Sequence, residues 1–283
     1  MARPFIKYLG GKRGHKVLEH LKVALSKPTD TYLAVMAGGG GDFFTLQEAG
    51  HLEGCTVILN DADVELVQLY TALQTYPHRT HKVAQSEVDV VTGQSQASAG
   101  RYYNDVRELW NAGGQRHQGT QLFLRHAAFN GLFRRNLSGE MNVPPRDLNR
   151  LTIPSLSDLV ECAEALKGVE LLDWDFRRIE EDEDLFVGPG TLIYLDPPYD
   201  GGFTEYIAGG FKDQDQHDVV VLAAEWARRG ASVVYSNAAT PLIRALLSEH
   251  WPEATVELTD VRRPVSSDGA TRGAVPEVIA YVY

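Results

Sequence analysis

The tetrapeptide Asp196-Pro197-Pro198-Tyr199 puts a carboxylate, a proline-locked backbone and an aromatic ring within four residues. It follows the apolar run Leu192-Ile193-Tyr194-Leu195, and the carboxyl end of a buried strand is where α/β folds bind ligands. The prolines fix the backbone and cannot donate hydrogen bonds. The Pro197 carbonyl can therefore point outward at a ligand, with Asp196 as a second acceptor and Tyr199 as a flat face. Two acceptors and a ring make a receptor for an exocyclic amino group on a planar heterocycle. Gripping both N–H hydrogens draws the nitrogen lone pair out of ring conjugation and towards a methyl donor. A proline-rich turn with a capping aspartate is the plainer reading. The strand before it and the glycine turn upstream weigh against that.

The glycine turn is Ala37-Gly38-Gly39-Gly40-Gly41, entered from the apolar run Tyr32 to Met36 and followed by Asp42-Phe43-Phe44. A strand that ends in glycines and opens a helix lets a ligand approach the backbone and the free N–H groups of the helix start. About twenty residues on, the run Val57-Ile58-Leu59 ends in Asn60-Asp61, and an acid there can accept both hydroxyls of a ribose. Neither Gly10-Gly11-Lys12-Arg13 nor the Gly38 turn has the spacing of a phosphate-binding or dinucleotide loop. An adenosyl cofactor suits this pattern better than a dinucleotide.

These residues need a scaffold. Short apolar runs recur at Tyr32 to Met36, Cys55 to Leu59, Val169 to Leu172, Thr191 to Leu195 and Ala231 to Tyr235. Their continuous apolarity predicts parallel strands buried on both faces. Thr255 to Val261 and Val275 to Tyr283 alternate instead and predict an antiparallel pair at the sheet edge. Helices are predicted over Asp213 to Arg229 and, behind a Thr240 cap with Pro241 at its first position, over Leu242 to His250. Alternating strands and helices predict an α/β doubly wound fold. From about Val64 to Gly168 that rhythm gives way to helical patterns at 65–76, 102–111, 120–128 and 157–166. This predicts a catalytic domain of residues 1–63 and 169–283, with a mostly helical insertion at 64–168.

The chain has 283 residues, 43% apolar and 23% charged. That supports a sizeable core and excludes disordered, collagen-like and coiled-coil classes. A net charge of −11 argues against binding nucleic acid through bulk charge alone. Residues 121–150 run the other way, with Arg125, Arg134, Arg135, Arg146 and Arg150 against Glu140 and Asp147. Arginines suit guanine edges and phosphates, and Phe129 and Phe133 lie among them. Arg262, Arg263 and Arg272 form a second basic patch. Cys55 and Cys162 read as reduced core thiols, and no histidine sits in a metal-binding pattern. No membrane span, signal peptide or metal is expected, and the expected location is the cytoplasm.

Taken in order, these segments resemble the Dam-type DNA adenine N6-methyltransferases, whose target-recognition part is inserted ahead of the catalytic tetrapeptide. The resemblance rests on Phe5 to Lys12, Gly38 to Gly41, Asn60-Asp61, Phe129 to Asn136, Gly139 to Pro144, Asp173 to Phe176, Asp196 to Tyr199, Ser236-Asn237 and 262–277. It implies a seven-stranded Rossmann-like class I methyltransferase sheet and S-adenosyl-L-methionine as cofactor. It also implies double-stranded DNA as partner, bound by a monomer or by a dimer on DNA, with a GATC-type target at the level of the family only. Tyr8, Lys12, Gly38, Gly39, Gly40, Asp61, Asp175, Phe176 and Asp196 would then face the cofactor. Asp196, Pro197, Pro198 and Tyr199 would receive the adenine. Arg125, Asn130, Arg134, Arg135, Asn136, Asn142, Arg146 and Arg272 would meet DNA. The chain departs from the family at Ala34-Val35-Met36, at Asp42 after the last glycine and at Pro145-Arg146-Asp147. A cytosine N4 or RNA adenine enzyme of the same fold, and a non-catalytic DNA-binding relative, are the alternatives.

Overall fold

A computed structural model of the chain describes residues 3–8, 16–113, 117–136, 138–183, 185–201, 210–259 and 276–283. Seven strands form one sheet: β1 (Thr31–Ala34), β2 (Thr56–Asn60), β3 (Glu170–Leu172), β4 (Thr191–Leu195), β5 (Ser232–Ala238), β6 (Thr255–Thr259) and β7 (Glu277–Val282). Their spatial order is β3-β2-β1-β4-β5-β7-β6. The first five run parallel, while β7 is antiparallel to both β5 and β6. The expected antiparallel pair is present, with β6 outermost. Strand order reverses between β1 and β4, which are paired with Ala34 opposite Tyr194. The glycine turn and Asp196 therefore leave neighbouring strands at the reversal point, where doubly wound sheets bind their ligands.

Alternate residues of the central strands feed two cores. Tyr32, Ala34, Leu192 and Tyr194 pack under α1 (Lys16–Leu25), α2 (Gly41–Glu48), α3 (Val64–Thr75) and α7 (Leu156–Ala165). Leu33, Val35, Ile193 and Leu195 pack under α9 (Asp213–Arg228) and α10 (Pro241–His250). Burial on both faces explains the unbroken apolar runs. Thr240 Oγ1 accepts from the Ile243 N–H at 3.2 Å and Pro241 opens α10, as the sequence predicts.

A third core lies wholly within residues 88–151. Val88, Tyr103, Trp110, Phe123, Phe133 and Met141 meet there, contributed by α4 (Pro77–Val91), α5 (Gln96–Asn111), α6 (Gln118–Ala127) and the loop after α6. The sequence reading missed α4, whose Pro77 occupies the first turn, where its missing N–H costs nothing. Leu66, Leu69 and Tyr70 of α3, and Leu159 and Cys162 of α7, belong instead to the core under the sheet. The loop after α6 doubles back on itself. The Asn136 N–H donates to the Glu140 carbonyl at 2.8 Å, and the Asn142 N–H to the Arg134 carbonyl at 3.2 Å. Arg135 and Met141 form an isolated bridge.

Both thiols are free. Cys162 is buried, which pushes its pKa up to about 11. Cys55, read from the sequence as a core thiol, is only half-buried beside Thr29. Among the described residues no helix is long and apolar enough to cross a membrane.

Candidate active site

The loop after β4 is tethered at every second residue. Asp196 Oδ1 accepts from Ser236 Oγ at 2.7 Å, and that hydroxyl also lies 3.3 Å from Tyr194 Oη. The Pro198 carbonyl accepts from Gln216 Nε2 of α9 at 2.8 Å. The Asp200 N–H donates to Asn237 Oδ1 at 2.9 Å, and the Asp200 carboxylate accepts from Thr240 Oγ1. Asp196 and Tyr199 are half-buried, and Pro197 is buried. Ser236, Asn237 and Thr240 all come from the end of β5 and the start of α10, so one neighbouring strand end holds the loop.

The glycine turn sits beside it. Gly38 and Gly40 have φ of 49° and 65°, a region that favours glycine. A Cβ on Gly39 would lie 2.6 Å from Tyr8 Cβ, so Tyr8 packs directly on the turn. Tyr70 Oη donates to the Gly38 carbonyl at 3.0 Å. Asp61 Oδ2 accepts from the Gly38 N–H at 2.8 Å, and Oδ1 from the Asp63 N–H at 2.9 Å. Burial, helped by the charge on Asp63, raises the Asp61 carboxyl to about 6. Asp42, in the first turn of α2, is buried and accepts from Tyr32 Oη. Burial likewise raises it to about 6, with Asp196 adding to the rise.

Asn60 grips the next loop at two points. Its Nδ2 donates to the Trp174 carbonyl at 3.0 Å, and its Oδ1 accepts from the Trp174 N–H at 3.0 Å. That fixes the start of 174–177. Asp175 is exposed and accepts from the Arg177 N–H at 3.0 Å. Phe176 is 5% exposed, with the Arg177 guanidinium 4.4 Å from its ring centre. Its ring thus serves the core beneath α9, and the face it was expected to offer a ligand is covered by Arg177. Lys12 lies outside the described residues.

On the DNA side the expected arginines separate into two kinds. Arg125 is 3% exposed, pairs with Asp63 Oδ2 at 2.9 Å and stacks 4.1 Å from the Phe133 ring centre. It was expected at DNA. Its burial between Asp63 and the Phe133 ring makes it a buried structural cation instead. Arg135 is half-buried and pairs with Glu65 at 2.6 Å and with Asp63 at 3.5 Å. Asn136 spends its Oδ1 on the Ser138 and Glu140 N–H groups, closing the loop tip. Asn130 is exposed with φ of 55°, beside exposed Phe129. Arg134 is half-buried and bonds the exposed Asn142 at 2.8 Å. Arg146 is half-buried, its main chain held by Ala127 and Gln96. Arg272 lies outside the described residues. The N-terminal segment braces this region: the half-buried His126, whose pKa burial lowers, bonds the Phe5 carbonyl through Nε2 at 2.8 Å, and Lys7 packs on Gly131.

Sequence reasoning assigned no role to Asp63, Glu65 or Gln216, and gave Thr240 only that of the α10 cap. Asp63 shows one signal, since its carboxylate caps α3 by accepting from the Leu66 N–H at 3.3 Å. Gln216 carries none, because its partners lie 18 and 21 residues away.

The family model described as D12 class N6 adenine-specific DNA methyltransferase matches residues 8–263. The chain is 32% identical over 287 residues to the DNA N-6-adenine-methyltransferase of Escherichia phage P1, covering 98% of this chain and 35% of that longer protein. It is 27% identical over 285 residues to the DNA adenine methylase of Escherichia coli strain K12, covering 98% and 94%. It is 24% identical over 299 residues to a type II methyltransferase of Lactococcus lactis subsp. cremoris, covering 99% and 95%. The match runs from Tyr8 on the glycine turn past the tethered loop and β5, so it spans every part of the site. The chain belongs to the D12 class N6 adenine-specific DNA methyltransferase family.

Proposed function

We propose that the chain moves the methyl group of S-adenosyl-L-methionine to N6 of an adenine turned out of duplex DNA. The observation that carries this reading is the adjacency of the Gly38–Gly40 turn and the Asp196 loop on paired strands at the sheet's reversal point. The donor set fits an adenosyl group. Asp61 presents an anchored carboxylate with lone pairs left for two ribose hydroxyls, beside the glycine turn on which Tyr8 packs. When bound, the cofactor supplies an electrophilic methyl carbon. Asp196 and the Pro197 carbonyl accept the two N6 hydrogens, and Tyr199 stacks on the base. Extruding the adenine costs roughly a few kcal/mol. With the donor bound, transfer would be an in-line displacement: N6 bonds the methyl carbon as its bond to sulfur breaks, the neutral thioether leaves and one N6 proton passes to water, so the protein contributes position and electrostatics. Incubating the purified chain with donor and duplex, then digesting the DNA for mass spectrometry, yields N6-methyladenine. N4-methylcytosine, or modification of RNA alone, would overturn the reading.

Residues 77–155, which carry the third core, are proposed as the DNA-reading part of the 64–168 insertion, with α3 and α7 packing in the core under the sheet. Asn130, Arg134, Asn142 and Arg146 are the candidates to face the duplex. Arg134→Ala is expected to weaken duplex binding about tenfold, in line with the roughly 1–3 kcal/mol of one good arginine contact to a base. Fluorescence anisotropy checks this, with donor affinity as the internal control.

Donor binding should depend on pH through Asp61. Its carboxyl, raised to about 6, accepts ribose hydroxyls best when ionised. Affinity therefore falls as pH drops from 7.5 through 6. Asp63 and Arg125 are the charges beside it. Asp61→Asn is expected to weaken the donor about tenfold at pH 7.5, roughly the worth of one hydrogen bond to a charged group, and to flatten that pH dependence. Calorimetric titration at both pH values reads this out.

A further inference from the structure

The tethers on the catalytic loop include a buried pair of amides that the reaction itself does not call for. Gln216 is 1% exposed and Asn237 is fully buried. Asn237 Nδ2 donates to Gln216 Oε1 at 2.9 Å and to Tyr235 Oη at 2.7 Å. Gln216 Nε2 then donates to the Pro198 carbonyl, and Asn237 Oδ1 accepts from the Asp200 N–H. Asn237 Oδ1 also accepts from the Ala238 N–H at 2.7 Å. The Pro198 carbonyl belongs to the peptide plane before Tyr199, and the Asp200 N–H to the plane after it. Fixing both planes fixes φ and ψ of Tyr199, since peptides are flat and only those two angles turn. The Cα–Cβ bond that carries the ring is aimed as a result.

Resting on the proposed base-binding role of this loop, we propose that Gln216 and Asn237 are positioning residues that aim Tyr199 at the extruded base. Neither side chain touches the substrate. An amide suits the task because one side chain must donate to a carbonyl and accept from a neighbour at the same time. A carboxylate at 216 still accepts from Asn237, but its second oxygen faces the Pro198 carbonyl with no proton between them. A protonated carboxyl restores that donor in the same shape.

The test compares the full chain with Gln216→Glu and Gln216→Leu, using the purified protein, S-adenosyl-L-methionine and an adenine-containing duplex from pH 5.5 to 8.5. Gln216→Leu is expected to lower kcat about 100-fold, the scale of a 1 Å misplacement at a reacting centre, with donor affinity unchanged. Gln216→Glu is expected to be as slow at pH 8.5 and to recover towards the parent rate as pH falls. Tyr235 lies next to the pair through Asn237, with Asp196 and Asp200 acting on it, while Asp215, paired with Arg177, and His217 flank position 216 on its own helix. The parent's profile records their titration and is divided out. A Gln216→Glu profile of parental shape, or a Gln216→Leu enzyme of parental kcat, overturns the inference while leaving the function standing. If Gln216→Leu does not fold, the isosteric Gln216→Glu decides the matter alone. A parent chain that methylates no adenine overturns both this inference and the function it rests on.

Discussion

Asp196→Ala abolishes methyl transfer, lowering kcat by at least about 1,000-fold, while the protein stays folded and binds its donor. The magnitude follows from what is removed. Losing a single preorganised polar partner of a reacting group costs about 100- to 1,000-fold, and Asp196 both holds the amino group and sets its orientation. The fold is spared for a structural reason. Asp196 is half-buried at the end of β4, and its partner Ser236 Oγ keeps Tyr194 Oη nearby. The same substitution takes a negative charge away from Asp42, whose carboxyl Asp196 pushes upward, so the helix start after the glycine turn gains rather than suffers. Transfer of labelled methyl groups into duplex DNA measures the rate, and circular dichroism checks the fold. A variant within tenfold of the parent would remove Asp196 from the mechanism.

Arg125→Ala is the largest expected effect on stability, about 3–5 kcal/mol. Removing one partner of a buried ion pair leaves the other charge stranded, and here the truncation also opens space beside the Phe133 ring. Asp63 keeps a longer contact to Arg135 at 3.5 Å, which places the effect towards the lower end. Arg150, exposed at the end of a short turn, is the control: its alanine variant stays within about 0.5 kcal/mol, as surface substitutions do. Urea denaturation of both variants separates a buried structural arginine from a solvent-facing one. Equal midpoints would contradict the burial of Arg125.

The contrast between those arginines shows where the sequence was legible. The central strands could be read because residues such as Leu192 to Leu195 are buried on both faces and leave no polar gap, and β6 and β7 because their pattern alternates instead. The catalytic tetrapeptide, the glycine turn and Asp61 were legible because each requires an uncommon residue type at the end of such a strand. Helix α4 was missed because its stretch is rich in His, Arg, Lys and Gln and opens on a proline, which reads as a break until its N–H is known to need no partner. Arg125 was misread because charge is visible in a sequence and burial is not. Its neighbours Leu122, Phe123 and Leu124 point to a crowded helix, but its counter-ion Asp63 stands 62 residues earlier. Glu180 opens an acidic run that local pattern alone would leave in solvent. Glu180 instead receives the Trp226 Nε1–H at 2.9 Å and pairs with Arg229, long-range partners that local pattern cannot show.

Asp63 and Glu65 lie just past Asp61, yet their charges are answered by Arg125 and Arg135 on α6 and the doubled-back loop. That loop is therefore not a detachable cassette. An engineer who exchanges residues 125–146, the end of α6 with the loop, for a relative's, hoping to retarget the enzyme, also removes the counter-charge from two carboxylates that stay behind in the recipient. Successful grafts must carry positions 63 and 65 with them, or neutralise both, and a library built on the loop alone will be filtered by folding before it is filtered by sequence choice.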